Sequence, residues 1–271
     1  MSVQNKRLLL VDGNNIFYRA YTACPELVHE GFPVHGIKGF HQTVSADIKT
    51  FRATHTLVCW DGAGTTFRHK LYPAYKANRG NKEDDTNSTR QMELCKLLCR
   101  ALGWHTITAK DVEADDLIAS AATQFTGVVC IRSHDKDFAQ LLSPTIRQLT
   151  SHGLIGTDEV QARYGVKVEQ FIDYLCLVGD AADNIKGCEG VGPIKASKWL
   201  SQWGSIDRIE DFSQDLSDTD YRHFHEFYPR YPLNKQLITL KHDAEVPQNL
   251  AIGQRNADKM RAFTKTTGLH L

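Results

Sequence analysis

Leu8-Leu-Leu-Val breaks an otherwise polar start, and Asp12-Gly-Asn-Asn ends it at once. A short apolar run between polar flanks reads as a buried strand, so the acid falls at the strand's carboxyl end. The pattern recurs. Thr56-Leu-Val-Cys-Trp ends in Asp61, and Val128-Val-Cys-Ile is followed by Arg-Ser-His-Asp135-Lys-Asp137. Between these runs the apolar spacing becomes helical, over Ile16 to Tyr21, Phe40 to Phe51 and Leu117 to Ala122. Gly31 to Gly39 reads as a glycine-rich loop. Ser88 and Gln91 have the form of a capping box for a helix that runs to Leu102 and stops at Gly103. Strands alternating with helices predict an α/β fold, with a central, mostly parallel sheet flanked by helices.

The second half reads differently. Ser143 to Gly156 is a connector with a short strand, and helices are predicted over Thr157 to Tyr164 and Val168 to Val178. Gly187-Cys-Glu-Gly190-Val-Gly192-Pro193 is a glycine turn opening a further helix, which Gly204 ends. Proline suits the first helical position, and the free N–H groups there suit a phosphate. A dinucleotide fingerprint does not fit, because Lys195 stands where a third small residue belongs and no strand precedes it. Asp207 to Asp220 is acidic and reads as a solvated helix and loop. Tyr221 to Tyr231 is rich in aromatic residues, and Asn234 to Leu240 reads as a packed helix. The expected division is an α/β domain over residues 1–164 and a helical lobe over 165–271.

The acids carry the chemistry. Glu113, Asp115, Asp116, Asp135 and Asp137 flank one apolar helix and one apolar strand. Ligands of α/β sheets bind beyond the carboxyl ends of the strands. A helix dipole favours acids in its first turn by only ~0.3–1 kcal/mol each, too little to gather like charges. A hard divalent cation with oxygen ligands completes such a site. Asp180 and Asp183, three residues apart, are placed to share one face of a turn. Thr66 to Arg79 interleaves cations with aromatic rings, among them Arg68, Lys70, Tyr75, Lys76 and Arg79. That composition suits phosphates and stacked bases as well as it suits a polar loop.

Charge and cysteine content narrow the classes. The 32 basic and 32 acidic residues cancel. Setting nine acids aside for metal leaves 23 against 32 bases, a balance of +9 that permits a polyanionic partner. The seven cysteines are scattered without a Cys-x-x-Cys pair, as in a reducing cytoplasm. No apolar run approaches the ~20 residues of a membrane span. A monomer is expected.

In this order the motifs resemble the 5′-nucleases, the phage and bacterial 5′→3′ exonucleases and flap endonucleases. The likeness runs from about Leu8 to Gly204. It rests on Val-Asp12-Gly-Asn-Asn, on Asp61 with Thr-Phe-Arg and Tyr75-Lys76-x-x-Arg79, on Glu113-Ala-Asp-Asp, on Asp135-Lys-Asp137, and on Gly179-Asp-x-x-Asp183-Asn-Ile with Gly190-Val-Gly192.

The resemblance implies a two-metal phosphodiesterase acting near the 5′ ends of branched or duplex DNA, in replication or repair such as primer removal. RNA–DNA hybrids are a further expected substrate. Asp12, Asp61, Glu113, Asp115 and Asp116 would surround a first Mg²⁺ or Mn²⁺; Asp135, Asp137, Asp180 and Asp183 would surround a second. Lys76 and Arg79 would contact the scissile phosphate at the base of a helical arch, about residues 73–102, with Tyr75 stacking on a terminal base. Residues 187–204 would form a helix–turn–helix element gripping duplex backbone through Gly190, Gly192, Lys195 and Lys198. Carbonyls of Val178, Lys186, Cys188 and Val191 would hold K⁺ there, and Arg68 and Lys70 would also meet DNA. This chain departs from the family pattern in two places: His134 replaces a small residue before Asp135, and Lys82-Glu-Asp-Asp85 makes the arch more acidic. The rival readings are a non-catalytic scaffold on branched DNA, which needs no nine acids, and a ribonuclease of a related acid-cluster fold, which needs no duplex grip.

Overall fold

The computed structural model describes residues 6–78 and 86–271. Strand β1 (Arg7–Asp12) leads into α1 (Gly13–Ala23), a small hairpin of β2 (Val28–His29) and β3 (Phe32–Pro33), and α2 (His35–Phe51). Then come β4 (His55–Trp60), α3 (Phe67–Leu71), α4 (Thr86–Leu102), β5 (His105–Thr108), α5 (Ala114–Gln124) and β6 (Val128–Arg132). A 3-10 turn over Lys136–Leu141 precedes the hairpin β7 (Ile146–Thr150) and β8 (Gly153–Ile155), followed by α6 (Thr157–Tyr164).

The sheet order is β5-β4-β1-β6-β7-β8, parallel except for β8. The chain moves from β1 outward to β4 and β5, then crosses to β6 on the other side. The neighbours β1 and β6 therefore form a switch point, where such sheets open a crevice at their carboxyl edge. Asp12 ends β1 and Asp135 follows β6 at that crevice.

Side-chain alternation along the strands makes two cores. Leu9, Val11, Val58 and Trp60 face Phe17 of α1, Phe40 of α2, Leu98 of α4 and Phe263. Leu8, Leu10, Leu57 and Ile131 face Leu117 and Ile118 of α5, together with Phe138, Leu240 and Leu250. Gly13 lets α1 start hard against β4, since a Cβ there would lie 2.5 Å from the Trp60 ring.

The remaining core is helical. It is built from α7 (Phe171–Val178), a tight hairpin of β9 (Gly179–Asp180) and β10 (Ile185–Lys186), α8 (Pro193–Trp203), α9 (Ile206–Asp211), α10 (Asp218–Phe227) and α11 (Tyr231–Ile238). Phe171, Leu175, Trp199, Leu200, Phe224 and Phe227 fill it. The chain then returns to the sheet. Leu240, Val246 and Leu250 join one core, and α12 (Ala257–Thr267) closes the other through Met260 and Phe263. Residues 240–271, expected in the lobe, pack on the α/β layer instead.

Four local expectations change. The stretch from Gly31 to Gly39 is a hairpin arm and the first turns of α2, whose Gly36 and Ile37 are buried. There is no capping box at Ser88. The helix is already formed at Thr86, and Gln91 Oε1 accepts the Ile37 N–H across the helix pair at 3.3 Å. Residues 86–102, expected within the arch, form a flanking helix buried through Leu94, Cys95, Leu98 and Cys99. Asp180 and Asp183 lie in a hairpin, not a helical turn.

Candidate active site

The acids meet at the sheet edge because strand ends and helix starts deliver them there. Asp12 caps α1: its Oδ1 accepts the Asn15 N–H at 3.0 Å, and its Oδ2 accepts the Ser133 hydroxyl at 2.8 Å. Asp61 Oδ1 accepts the Ala114 N–H at 2.9 Å, tying β4 to the start of α5. Asn14 Oδ1 holds the Asp61 N–H at 3.0 Å. Asp135 caps the 3-10 turn by accepting the Asp137 N–H at 3.0 Å. Ser133 and Gln148 fix that loop through main-chain bonds: Ser133 Oγ accepts from Asp135 N, and Gln148 Nε2 donates to the Ser133 and Asp135 carbonyls. These two supports were not anticipated. The one sequence signal for Ser133 is that it interrupts the apolar strand at the edge.

Asp12, Asp61, Asp115 and Asp135 form one electrostatic group. Burial pushes the Asp12 carboxyl up to about 7, against hydrogen bonds from Asn15 and Ser133 and with help from the Asp61 and Asp135 charges. Burial, then the charges of Asp12, Asp135 and Asp61, hold Asp115 well above the usual carboxylate range. Asp137, Asp180 and Asp183 form a second group, with one oxygen of each within 4.8 Å of the others. At that spacing each ionised pair repels by about 3–4 kcal/mol for an effective dielectric of about 20. Burial and the Asp135 charge push Asp137 up to about 7.

This donor set fits hard divalent cations. It is all carboxylate, it is mutually repulsive, and the buried Oδ1 of Asp137 has no hydrogen-bond partner. Two ammonium groups reach into the site. Lys136 Nζ lies 2.5 Å from Asp180 Oδ2, and Lys76 Nζ lies 2.7 Å from Glu113 Oε1. Burial pulls the Lys76 pKa down, but Glu113 and Asp183 outweigh it and the group stays charged. Lys76 is held with a left-handed backbone, φ 56°, its N–H on the Asp183 carbonyl.

The raised carboxyl pKa values carry a pH dependence. An unfolded Asp titrates near 3.9, so between about 4 and 7 the folded protein holds more protons than the unfolded one. Without metal, stability therefore falls as pH rises through that window, and the penalty is fully present above 7. Divalent metal relieves it. Mg²⁺ is expected to raise the calorimetric Tm more at pH 8 than at pH 6, by roughly 4–8 °C. An equal shift at both values would place these protonations outside the metal site.

Several residues sit elsewhere than expected. Arg68 is only 2% exposed, with its guanidinium on Glu113 and Asp116, so it is interior and does not face DNA. Tyr75 is 4% exposed and donates its hydroxyl to Asp183 Oδ2 at 3.0 Å, which leaves no open face for a base. Asp116 is set apart from the other acids, both oxygens engaged by Arg68. Lys70 and Lys198 are exposed; Lys195 pairs with Asp220 at 2.7 Å. Gly190 adopts φ +70°, and Gly192 caps α8 ahead of Pro193. At the carbonyls expected to hold K⁺, Lys186 O accepts the Asn234 amide and Cys188 O accepts the Val191 N–H. His134 bridges Asn15 Oδ1 and the Ser151 N–H, joining α1 to the β7–β8 hairpin. Arg79 and the 82–85 acids lie outside the described residues.

Comparison with known proteins places this geometry. Residues 7–165 match the model of the 5′-3′ exonuclease N-terminal resolvase-like domain, and residues 166–260 match the 5′-3′ exonuclease C-terminal SAM fold. The thermostable DNA polymerase I of Thermus filiformis is 36% identical over 208 residues, 75% of this chain and 25% of that protein. DNA polymerase I of Bacillus subtilis is 32% identical over 254 residues, 90% of this chain and 29% of that protein. The chain thus spans about a quarter of the length of the curated relatives it matches. Among solved structures, the T5 5′-exonuclease with bound zinc superposes with a TM-score of 0.75 at 23% identity, covering 96% of this chain and 98% of that one. Human GEN1 in complex with Holliday junction DNA gives 0.66 at 14% identity, over 98% and 68%. At those identities the likeness carries the fold, while the two matched models carry the family. The chain belongs to the 5′-3′ exonuclease family.

Proposed function

We propose that this protein is a divalent-metal-dependent 5′→3′ exonuclease and structure-specific flap endonuclease, cutting phosphodiesters near the 5′ ends of branched or duplex DNA during replication and repair. Primer removal, including RNA–DNA hybrids, falls within that chemistry. The observation that carries the reading is the convergence of acids from separate strand ends and from the lobe hairpin on one crevice, with a buried carboxylate oxygen that accepts no hydrogen bond and two ammonium groups beside it.

Asp12, Asp61, Glu113 and Asp115 would hold one Mg²⁺, and Asp137, Asp180 and Asp183 a second, with Asp135 between; Mn²⁺ suits the same oxygens. Magnesium keeps much of its water, so several of these acids act through water molecules. Bound cations there would supply a more acidic water and polarise the phosphate. Lys76 brings a fixed positive charge to the phosphate and, with Arg79, supports the charge that develops on it. Lys70 and Lys198 are exposed cations for phosphates along the duplex, Lys195 would join them by exchanging Asp220 for a phosphate, and the N–H groups at Gly190 and Gly192 suit one phosphate. The carbonyls of Val178 at the end of α7, Lys186 in β10, and Cys188 and Val191 ahead of α8 are the proposed K⁺ ligands.

Among the described residues no helix is long and apolar enough to cross a membrane. All seven cysteines are free thiols, which suits the cytoplasm. A monomer is sufficient for this chemistry.

The test is a 5′-flap duplex labelled at its 5′ end, incubated with and without Mg²⁺. Metal-dependent release of a short oligonucleotide from the junction is expected. Mononucleotides alone would reduce the reading to an exonuclease, and binding without cleavage under any divalent metal would replace it with the scaffold.

A further inference from the structure

Arg68 is the most heavily bonded buried side chain near the acids. Its Nε donates to the Leu237 carbonyl at 2.7 Å, and its Nη2 to the Thr239 carbonyl at 3.2 Å. Its Nη1 donates to Glu113 Oε2 at 2.5 Å and Asp116 Oδ2 at 2.8 Å, while Nη2 also reaches Asp116 Oδ1 at 2.9 Å. Asp116 Oδ1 additionally accepts the Lys241 N–H at 2.9 Å. Glu113 is left with one oxygen for Arg68 and the other for Lys76.

This is a bidentate guanidinium–carboxylate pair, with the remaining donors directed at two main-chain carbonyls. Those carbonyls lie where the chain leaves the lobe at α11 and returns to the sheet. The same stretch of sequence therefore spans three parts of the molecule: Arg68 reaches the lobe exit and the start of α5, Lys76 reaches Glu113, and Tyr75 reaches Asp183 in the lobe hairpin.

We infer that Arg68 and Asp116 are a buried positioning pair, which orients Glu113 towards Lys76 and the first metal and fixes the lobe exit to that acid, and that Asp116 serves as the counter-ion of Arg68 rather than as a metal ligand. Both Asp116 oxygens are held by the guanidinium fork, and Oδ1 also by Lys241 N, so its charge is already neutralised by Arg68, whereas Asp12, whose oxygens accept from neutral donors, keeps its charge for a cation. Glu113 keeps Oε1 on the side of Lys76. The inference rests on the nuclease reading for its kinetic arm only.

Mn²⁺ titration by calorimetry compares wild type with Asp115→Asn, Asp116→Asn and the double variant Arg68→Met/Asp116→Asn. Asp115→Asn is expected to weaken Mn²⁺ binding by ~100-fold or more, whereas Asp116→Asn stays within about tenfold of wild type, the lower end for an outer-shell partner. The double variant, which removes both charges together, also stays within about tenfold, because no buried charge is left unpaired. In flap cleavage, Arg68→Lys lowers kcat by about 10–100-fold with KM unchanged, since an ammonium cannot reproduce the fork. Asp116→Asn matching Asp115→Asn in lost Mn²⁺ affinity would overturn the assignment. So would Arg68→Lys raising KM with kcat intact, which would return Arg68 to the DNA. A wild-type protein that binds Mn²⁺ but never cuts DNA would end the nuclease reading, and the calorimetric comparison would still decide this one.

Discussion

Asp135→Asn is expected to stop hydrolysis while leaving DNA binding and the fold intact. The cap geometry survives, because an Asn Oδ1 accepts the Asp137 N–H as an Asp Oδ1 does, and both residues are strong caps. The rest of the loop is held by Ser133 and by Gln148 on main-chain atoms, which the substitution leaves in place. What is lost is the charge. Asp135 contributes to the field at Asp12, at Asp115 and at Asp137, so it is the acid shared by both carboxylate groups. Neutralising it weakens both cation sites together. Single-turnover flap cleavage should fall by ~10³-fold or more, at least about 4 kcal/mol of transition-state stabilisation. Filter binding in Ca²⁺ should show unchanged or slightly tighter DNA affinity, since a negative charge has left the phosphate path. A variant unfolded by circular dichroism would make Asp135 structural instead.

Lys76→Ala is the second large effect. The ammonium is charged, mostly buried and anchored by Glu113 at 2.7 Å, so it is in place before any substrate arrives. A preorganised cation aimed at developing charge contributes about 10²–10³ in kcat. The expected loss is of that size in the single-turnover rate, with duplex Kd within about threefold, because one phosphate contact among many contributes modestly to binding. Alanine is the informative substitution. Lys76 sits at φ 56°, which alanine tolerates about as badly as lysine, while glycine would relax the backbone and mix two effects. A full-rate Lys76→Ala enzyme would remove the residue from the chemistry.

The site was largely legible because its acids mark strand and helix ends. Asp12, Asp61 and Asp135 each follow an apolar run, and the burial of those runs dictates where the acids emerge. Edge β5 was missed because His105-Thr-Ile-Thr is short and half-exposed, with no apolar run to announce it. Helix α12 was missed because its buried Met260 and Phe263 lie among polar residues. Its core contacts come from α4, more than 150 residues earlier in the chain, and no local pattern reports that. The Ser88 capping box failed for a related reason. Gln91 has the right spacing to bond locally, but the packed α2 offers it a buried N–H whose neglect would cost more.

By itself the sequence determined the α/β layer, the sheet edge on which the acids gather, their number and their kind, because short continuous apolar runs must be buried on both faces and their polar ends cannot follow. Tertiary structure decided which acids face one another and which do not. Asp115 and Asp116 are adjacent on α5, yet consecutive helical residues point about 100° apart. One joins Asp12 and Asp61 at the crevice, and the other turns to a guanidinium brought from Arg68. Tyr75 and Arg68 likewise carried the composition of a DNA contact, and packing against the lobe made them interior. A motif records residue types and spacing, but side-chain direction is set by what lies across the chain fold, and only there does a carboxylate become either a metal ligand or a counter-ion.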